Sequence, residues 1–118
     1  MDGTCNPVPA KRSFRRTRIF NQIAPYCLIC PHRDTSIKWG QGVNIGMFSR
    51  LACINEISLG NTVLTGPNVF ISDHNHAYED VEKPISAQGN IGNNNKVIID
   101  DDCWIGTNVV ICGNVHIG

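Results

Sequence analysis

The sequence has no excess of charge of either sign. Among its 118 residues, Lys plus Arg and Asp plus Glu each number 10, so the formal net charge is zero. Proteins that bind nucleic acid usually carry a basic excess, so we expect no nucleic-acid partner. Half of the basic residues lie close together near the N-terminus, at Lys11, Arg12, Arg15, Arg16 and Arg18. This run could contact an anionic partner, but we interpret residues 1–22 as a solvated N-terminal basic arm and lead-in.

Long apolar runs are also missing. No stretch reaches the roughly 20 apolar residues that a membrane-spanning helix needs, so we expect no membrane insertion. The N-terminal segment MDGTCNPVPAKR lacks the apolar core of a secretion signal, which favours a cytoplasmic location. Six cysteines in so short a chain could form disulfides, but a cytoplasmic location predicts that they stay reduced.

What the sequence does have is an apolar residue at every sixth position. One row holds Leu51, Ile57, Val63 and Val69, and a second follows two residues later with Cys53, Leu59, Thr65 and Ile71. The same two rows return as Val97, Cys103, Val109, Val115 and as Ile99, Ile105, Ile111, Ile117. Upstream, Ile37 with Val43 and Trp39 with Ile45 keep the spacing, and Cys27 with Ile29 begins it.

A period of six fits neither an α-helix nor an ordinary strand. Two apolar residues separated by one position share a face of an extended segment. The intervening glycine and asparagine residues, as in Gly60-Asn61 and Gly113-Asn114, are turn formers. Each hexad is therefore interpreted as a short strand and a corner, and stacked hexads bury a continuous apolar column. Three hexads per coil give a triangular prism over residues 23–118.

The units LGNTVL, IGTNVV and ICGNVH resemble the hexapeptide-repeat family. This resemblance implies an all-β, left-handed parallel β-helix. The handedness is implied by the family alone, because that fold is an exception to the right-handed crossover rule.

The inward rows also bear on metal binding. Cys27-x-x-Cys30 followed by His32 is similar to part of a zinc site, but no second ligand pair lies at finger spacing. Cys27, Cys53 and Cys103 fall on inward rows, where a free cysteine packs as a small hydrophobe. We therefore expect packing rather than metal binding, and no metal requirement.

The repeat is interrupted once. The rows stop at Ile71 and resume at Val97, so we predict that residues 72–96 form one long loop extruded from the prism. Loops of such length inside a compact repeat domain are usually functional.

The loop begins with ISDHNHAYED, which resembles the catalytic loop of hexapeptide-repeat acetyltransferases that modify sugars and polysaccharides. The resemblance implies that His76 is the catalytic base. His74 is then a flanking residue that binds the acceptor or shapes the loop. Asp73 and Asn75 are candidates for orienting an imidazole or the sugar hydroxyls. Without the repeat around it, the same cluster would be interpreted as a polar loop.

A second motif is CWIGTN, residues 103–108. Alternation places Trp104 on the outside of the prism. The WIG string is similar to one that follows the catalytic loop in these acetyltransferases. The resemblance implies that Trp104 lies near the acceptor or the pantetheine arm, and that Thr107 contacts coenzyme A.

Two other β-helix classes fit poorly. The zinc-dependent carbonic anhydrases that this fold includes need three histidine ligands, but the region holds only His74-x-His76. Ice-binding β-helices carry Thr-x-Thr ladders, whereas Thr62, Thr65 and Thr107 each stand alone.

The family resemblance implies acetyl transfer from acetyl-CoA to a hydroxyl, or less readily an amine, of a small-molecule sugar acceptor in polysaccharide biosynthesis. It also implies a homotrimer with active sites between subunits. Similar acetyltransferases continue beyond NVHIG with further coils and a closing segment, so the chain is expected to be shortened at its C-terminus. The alternative is a non-catalytic truncated β-helix that serves as an oligomerising scaffold or binding module.

Overall fold

The computed structural model describes residues 6–7, 21–32 and 35–118, which form short β-strands. In chain order these are β1 Asn6–Pro7, β2 Gln22–Ile23, β3 Leu28–Pro31, β4 Ser36–Trp39, β5 Asn44–Ile45, β6 Arg50–Cys53, β7 Glu56–Leu59, β8 Leu64–Thr65, β9 Phe70–Ser72, β10 Asn75–His76, β11 Asn90–Ile91, β12 Lys96–Ile99, β13 Trp104–Ile105, β14 Val110–Cys112 and β15 Val115–Ile117. Within these ranges the single helical element is a 3-10 turn, Ile85–Ala87. The predicted basic cluster, from Lys11 to Arg18, lies outside the described residues.

The strands form three parallel sheets that are the sides of a triangular prism. Face A contains β3, β6, β9 and β14, with β1 antiparallel at its edge. Face B contains β2, β5, β8 and β13, and face C contains β4, β7, β12 and β15. The chain visits the faces in the repeating order A, C, B. The protein is an all-β, left-handed parallel β-helix, which confirms the predicted fold class.

The coils do not all keep the length of three hexads. Val97 pairs with Val115, as three hexads predict, but Leu51 pairs with Ile71 rather than with Val69. The prediction of three hexads per coil is therefore wrong for this coil, although Val69 does face inward. Face A explains the difference in coil length, because three alternate residues of the chain point inward there rather than two. These are Ser49, Leu51 and Cys53 in one coil and Val69, Ile71 and Asp73 in the next, all at most 1% exposed.

The interior is a continuous apolar column built from the predicted rows. Its buried members are Cys27, Val43, Ile45, Leu51, Cys53, Ile57, Leu59, Val63, Val69, Ile71, Val97, Ile99, Ile105 and Ile111. Cys103 packs against this cluster, so the predicted packing role of the three inward cysteines is confirmed. Cys30 forms a disulfide bond, and the prediction that the cysteines stay reduced is wrong at this position.

The corner between faces B and A has a left-handed backbone in each coil. The φ angles are 63° at Tyr26, 60° at Phe48, 57° at Asn68 and 64° at Asn108. Asparagine adopts this conformation readily, and Asn68 Nδ2 donates a hydrogen bond to Asn108 Oδ1 at 2.7 Å. Aromatic residues seldom adopt it, so Tyr26 and Phe48 depart from the usual chemistry of this corner.

One long loop leaves the prism between faces A and C. Ser72 and Asp73 are buried and still belong to the coil. Beyond them, β10 pairs antiparallel with β11, with His76 opposite Asn90, and β12 then rejoins face C. The loop lengthens this coil, so that β9 pairs next with β14 and the two strands lie far apart in the sequence. At its base, Asn55 Nδ2 donates a hydrogen bond to Gly92 O at 2.5 Å.

Among the described residues, no helix has the length and apolar character required to cross a membrane.

Candidate functional site

Asp73 is a buried carboxylate at the point where the chain leaves face A. Its side chain is fully buried and projects towards the preceding coil. Asp73 Oδ1 accepts a hydrogen bond from the N–H of Ile54 at 3.0 Å. Asp73 Oδ2 accepts hydrogen bonds from the N–H groups of Asn55 at 2.7 Å and Glu56 at 2.8 Å. The carboxylate therefore holds the corner between β6 and β7.

These hydrogen bonds determine the charge of Asp73. Burial alone would raise the pKa of the Asp73 carboxyl, but the hydrogen bonds from Ile54, His74 and Asn55 outweigh burial and lower it. Asp73 is therefore ionised at neutral pH. Burial, and next the negative charge of Asp73, raises the pKa of the neighbouring Cys53 thiol to about 11, so Cys53 remains a thiol beside it.

His74 is oriented by this carboxylate. Its Nδ1 lies 2.9 Å from Asp73 Oδ1 and 3.3 Å from Ser72 Oγ, and its side chain is 14% exposed. Ser72 Oγ donates a hydrogen bond to the backbone oxygen of His74 at 2.8 Å. An ionised carboxylate only accepts hydrogen bonds, so the Nδ1 of a neutral His74 carries the hydrogen. Its Nε2 is then the basic nitrogen.

His76 and Asn75 lie one step further along the chain, on β10, and both are exposed. Asn75 Oδ1 accepts a hydrogen bond from the Cys112 thiol at 3.1 Å. Within the described part of the chain, the His76 ring has no hydrogen bond or ion pair. The structure therefore places the two histidines in different surroundings, one held by a buried carboxylate and the other exposed.

Both histidines line one groove of about 230 Å³ on the outer side of face A. The walls of this histidine groove are Arg50, Ala52, Phe70, Ser72, His74, Asn75, His76 and Cys112. Three of the four predicted loop residues, His74, Asn75 and His76, thus line the groove. The fourth, Asp73, does not line it but contacts His74.

Cys112 is the residue of this groove that the sequence analysis missed. It is exposed and pairs with Ser72 across neighbouring coils. Only the register of β14 against β9 brings it to the histidines, and the strict six-residue period did not provide that register. The available sequence signal was that Cys112 directly follows the inward Ile111, so its side chain points outward from the prism.

The predicted cofactor residues lie elsewhere. Trp104 is 76% exposed, as alternation predicts, but it is on β13 of face B and pairs with Leu64. Thr107 is also exposed and lies at the corner that follows β13. Within the chain, the structure does not bring these two residues to the histidine groove.

The residues that the structure describes contain no group of three or more His, Cys, Asp or Glu side chains placed to hold a metal ion.

Two curated acetyltransferases are similar to the chain. Galactoside O-acetyltransferase of Lactococcus lactis is 28% identical over 106 residues, which cover 86% of this chain and 49% of that protein. A "probable acetyltransferase" of Mycobacterium tuberculosis is 31% identical over 85 residues, which cover 72% of this chain and 28% of that protein. The chain thus spans about half of one relative and about a quarter of the other. No family model matches the chain, and no solved structure does. The two relatives and the fold support the hexapeptide-repeat acetyltransferase family.

Proposed function

We propose that the protein transfers an acetyl group from acetyl-CoA to a hydroxyl group, or less readily an amine, of a sugar. The observation that carries the proposal is the histidine groove, in which a buried, ionised carboxylate orients one of two histidines. The names of the two relatives support acetyl transfer, and the name of the Lactococcus protein supports a carbohydrate acceptor.

The geometry supports His74 as the general base. Asp73 holds the ring through Nδ1 at 2.9 Å, which fixes the tautomer and the ring orientation, as a carboxylate does for many functional histidines. The family resemblance instead favours His76, whose ring is exposed and has no such partner among the described residues. The assignment of the base to His76 is therefore the competing prediction, with Asn75 as a group that binds the acceptor.

In the proposed reaction, His74 Nε2 removes the hydroxyl proton as the acceptor oxygen attacks the thioester carbonyl. The new C–O bond forms and the C–S bond breaks, so that coenzyme A leaves as a thiolate that takes up the proton from the imidazolium. The ionised Asp73 stabilises the transient positive charge on His74. Base catalysis of this kind contributes about 100- to 10,000-fold, and alignment of the two substrates in the groove contributes further.

The proposal includes a homotrimer, because Trp104 and Thr107 lie on face B while the histidines line face A. In such an assembly, face B of one protomer would lie beside the histidine groove of its partner, where Trp104 and Thr107 would contact acetyl-CoA. A cytoplasmic location would supply that substrate. The Cys30 disulfide is the observation that counts against a reducing compartment.

Binding of acetyl-CoA to the chain, measured by calorimetry, tests the proposal without a choice of acceptor. We expect micromolar affinity, together with a light-scattering mass three times that of the chain. The Trp104→Ala variant should bind more weakly, whereas Val81→Ala, at an exposed position of the loop, should bind as the wild type does. A folded protein that fails to bind millimolar acetyl-CoA would contradict the proposal and favour the non-catalytic scaffold.

Cys112 offers a second chemical route, because a thiol in the groove can accept an acetyl group. We expect direct transfer. The single hydrogen of the Cys112 thiol faces Asn75 Oδ1 at 3.1 Å and His74 O at 3.8 Å, and not a histidine nitrogen that could remove it and create the reactive thiolate. The Cys112→Ser variant should therefore keep kcat within about threefold of the wild type. Loss of activity together with an acetyl adduct on Cys112 in the mass spectrum of the wild type would establish a two-step mechanism instead.

A further inference from the structure

Tyr26 and Phe48 form an exposed pair of stacked rings at the corner between faces B and A. Their ring centroids are 5.2 Å apart and the planes differ by 9°. Tyr26 is 55% exposed and Phe48 is 60% exposed. Both have positive φ angles, which cost an ordinary residue about 1–2 kcal/mol. The next two coils place Asn68 and Asn108 at the same corner, without this cost.

Packing in the core does not explain the pair, because both rings lie outside the apolar column. Residues held in sparsely populated backbone conformations cluster at functional sites. The two aromatic residues therefore point to a ligand that uses the ring surface.

A groove of about 310 Å³ lies beside the pair. This aromatic groove is lined by Tyr26, Leu28, Phe48, Ser49, Arg50, Asn68, Val69 and Phe70. The Arg50 guanidinium lies over the Phe70 ring, 6.0 Å from its centroid, and Arg50 forms no ion pair with any residue that the structure describes. The aromatic groove thus combines flat apolar surface with guanidinium donors and the Asn68 amide.

The aromatic groove and the histidine groove are neighbours on face A. Arg50 and Phe70 line both of them, and they pair directly across β6 and β9. The four residue steps from Val69 to Asp73, which run through β9, cover about 13 Å. A ligand that lies along face A can therefore contact the histidines at one end and the aromatic pair at the other.

We propose that the acceptor is an oligosaccharide or polysaccharide, and that Tyr26 and Phe48 bind a sugar unit next to the one that is acetylated. This inference rests on the proposed function, because it extends the same site. A pyranose ring has an apolar C–H face bordered by hydroxyl groups. The aromatic rings match the apolar face, and the donors of Arg50 and Asn68 match the hydroxyls. A monosaccharide that occupies the histidine groove would leave the aromatic groove unused.

The decisive variant is the double substitution Tyr26→Asn and Phe48→Asn. Asparagine is the residue that Asn68 and Asn108 already provide at this corner, and it adopts the left-handed conformation more readily than an aromatic residue. The variant therefore removes both rings but should fold at least as stably as the wild type. We expect kcat/KM for a chain of several sugar units to fall by about tenfold, the size of effect that loss of one aromatic stacking contact produces. The kcat/KM for the matched monosaccharide should not change. Equal effects on the two acceptors, or no effect on either, would overturn the inference.

Binding measurements separate this inference from the proposed reaction. Glycans of one to four units, printed as an array, should bind the wild type more tightly as their length increases. The double variant should lose this dependence on length, and His74→Asn should retain it. If length-dependent binding is found in a protein without acetyl transfer, the proposed reaction fails and the inference stands. If no glycan binds better than its own monosaccharide, or if the double variant loses the trimer mass, the aromatic pair is not a sugar subsite.

Discussion

Replacement of His74 by Asn should lower kcat by about 100- to 10,000-fold, the contribution of a positioned histidine base. Asparagine can still donate a hydrogen bond to Asp73 Oδ1, which lies 2.9 Å from His74 Nδ1 in the wild type, but it cannot accept the proton of the acceptor. The variant should therefore fold normally and bind acetyl-CoA with unchanged affinity. Steady-state kinetics with a sugar acceptor, together with calorimetry of acetyl-CoA binding, provide the measurement.

His76→Asn is the matched control. It lies two residues away, lines the same groove and undergoes the same change of side chain. We expect a loss of at most about tenfold in kcat/KM, because the exposed ring would contribute only binding contacts. The opposite ranking of the two variants would assign the base to His76, as the family resemblance implies. If neither variant loses activity, the base lies outside the histidine groove.

The period of six was sufficient to predict the fold class but not the register of the coils. The apolar rows identified the inward side of each strand, because alternation in an extended chain is a local property. They could not show that face A turns a third residue inward, because Ser49 and Asp73 are polar and interrupt the apolar pattern. The third inward residue of face A lengthens the coil and places Ile71, rather than Val69, next to Leu51.

The same limit applies to the candidate site. The loop and its histidines were recognisable because DHNH follows a strand of the repeat directly. Cys112 was not, since it reaches the groove only by pairing with Ser72, which precedes the whole loop in the sequence. The role of Asp73 was also only partly visible. The loop motif predicted that Asp73 could orient an imidazole, but its burial and its partners at Ile54, Asn55 and Glu56 depend on the coil length.

Replacement of Asp73 by Asn should lower the free energy of unfolding by about 3 kcal/mol at pH 7. The carboxylate accepts hydrogen bonds from three backbone N–H groups in the preceding coil, and hydrogen bonds to a charged group contribute about 1.5–3 kcal/mol each. An asparagine amide retains one acceptor oxygen and turns an N–H₂ group towards backbone donors, so at least one donor stays buried and unsatisfied. Urea unfolding of both proteins, followed by circular dichroism, provides the measurement.

Asp101→Asn is the control for this variant. The Asp101 side chain also accepts a backbone hydrogen bond, from Asn61 at 2.7 Å, but the site is exposed. Water can replace that contact, so we expect a loss below about 1 kcal/mol. An Asp73→Asn protein whose stability lies within about 0.5 kcal/mol of the wild type, the lower limit for one hydrogen bond, would contradict the structural role of the carboxylate.

The stability difference between the wild type and Asp73→Asn should also depend on pH. The pKa of Asp73 is lower in the folded protein than the ordinary value for an aspartate, so the folded state favours the ionised form. The stabilisation is therefore fully present above that ordinary value and decreases as the pH falls through the folded pKa. The two proteins should differ most at neutral pH and converge in strong acid, because the introduced asparagine does not titrate. The same ionised carboxylate thus orients the His74 ring and stabilises the coil. Both effects should therefore decrease together as Asp73 is protonated. A stability difference that stays constant from pH 7 into strong acid would show that Asp73 acts through its shape rather than its charge.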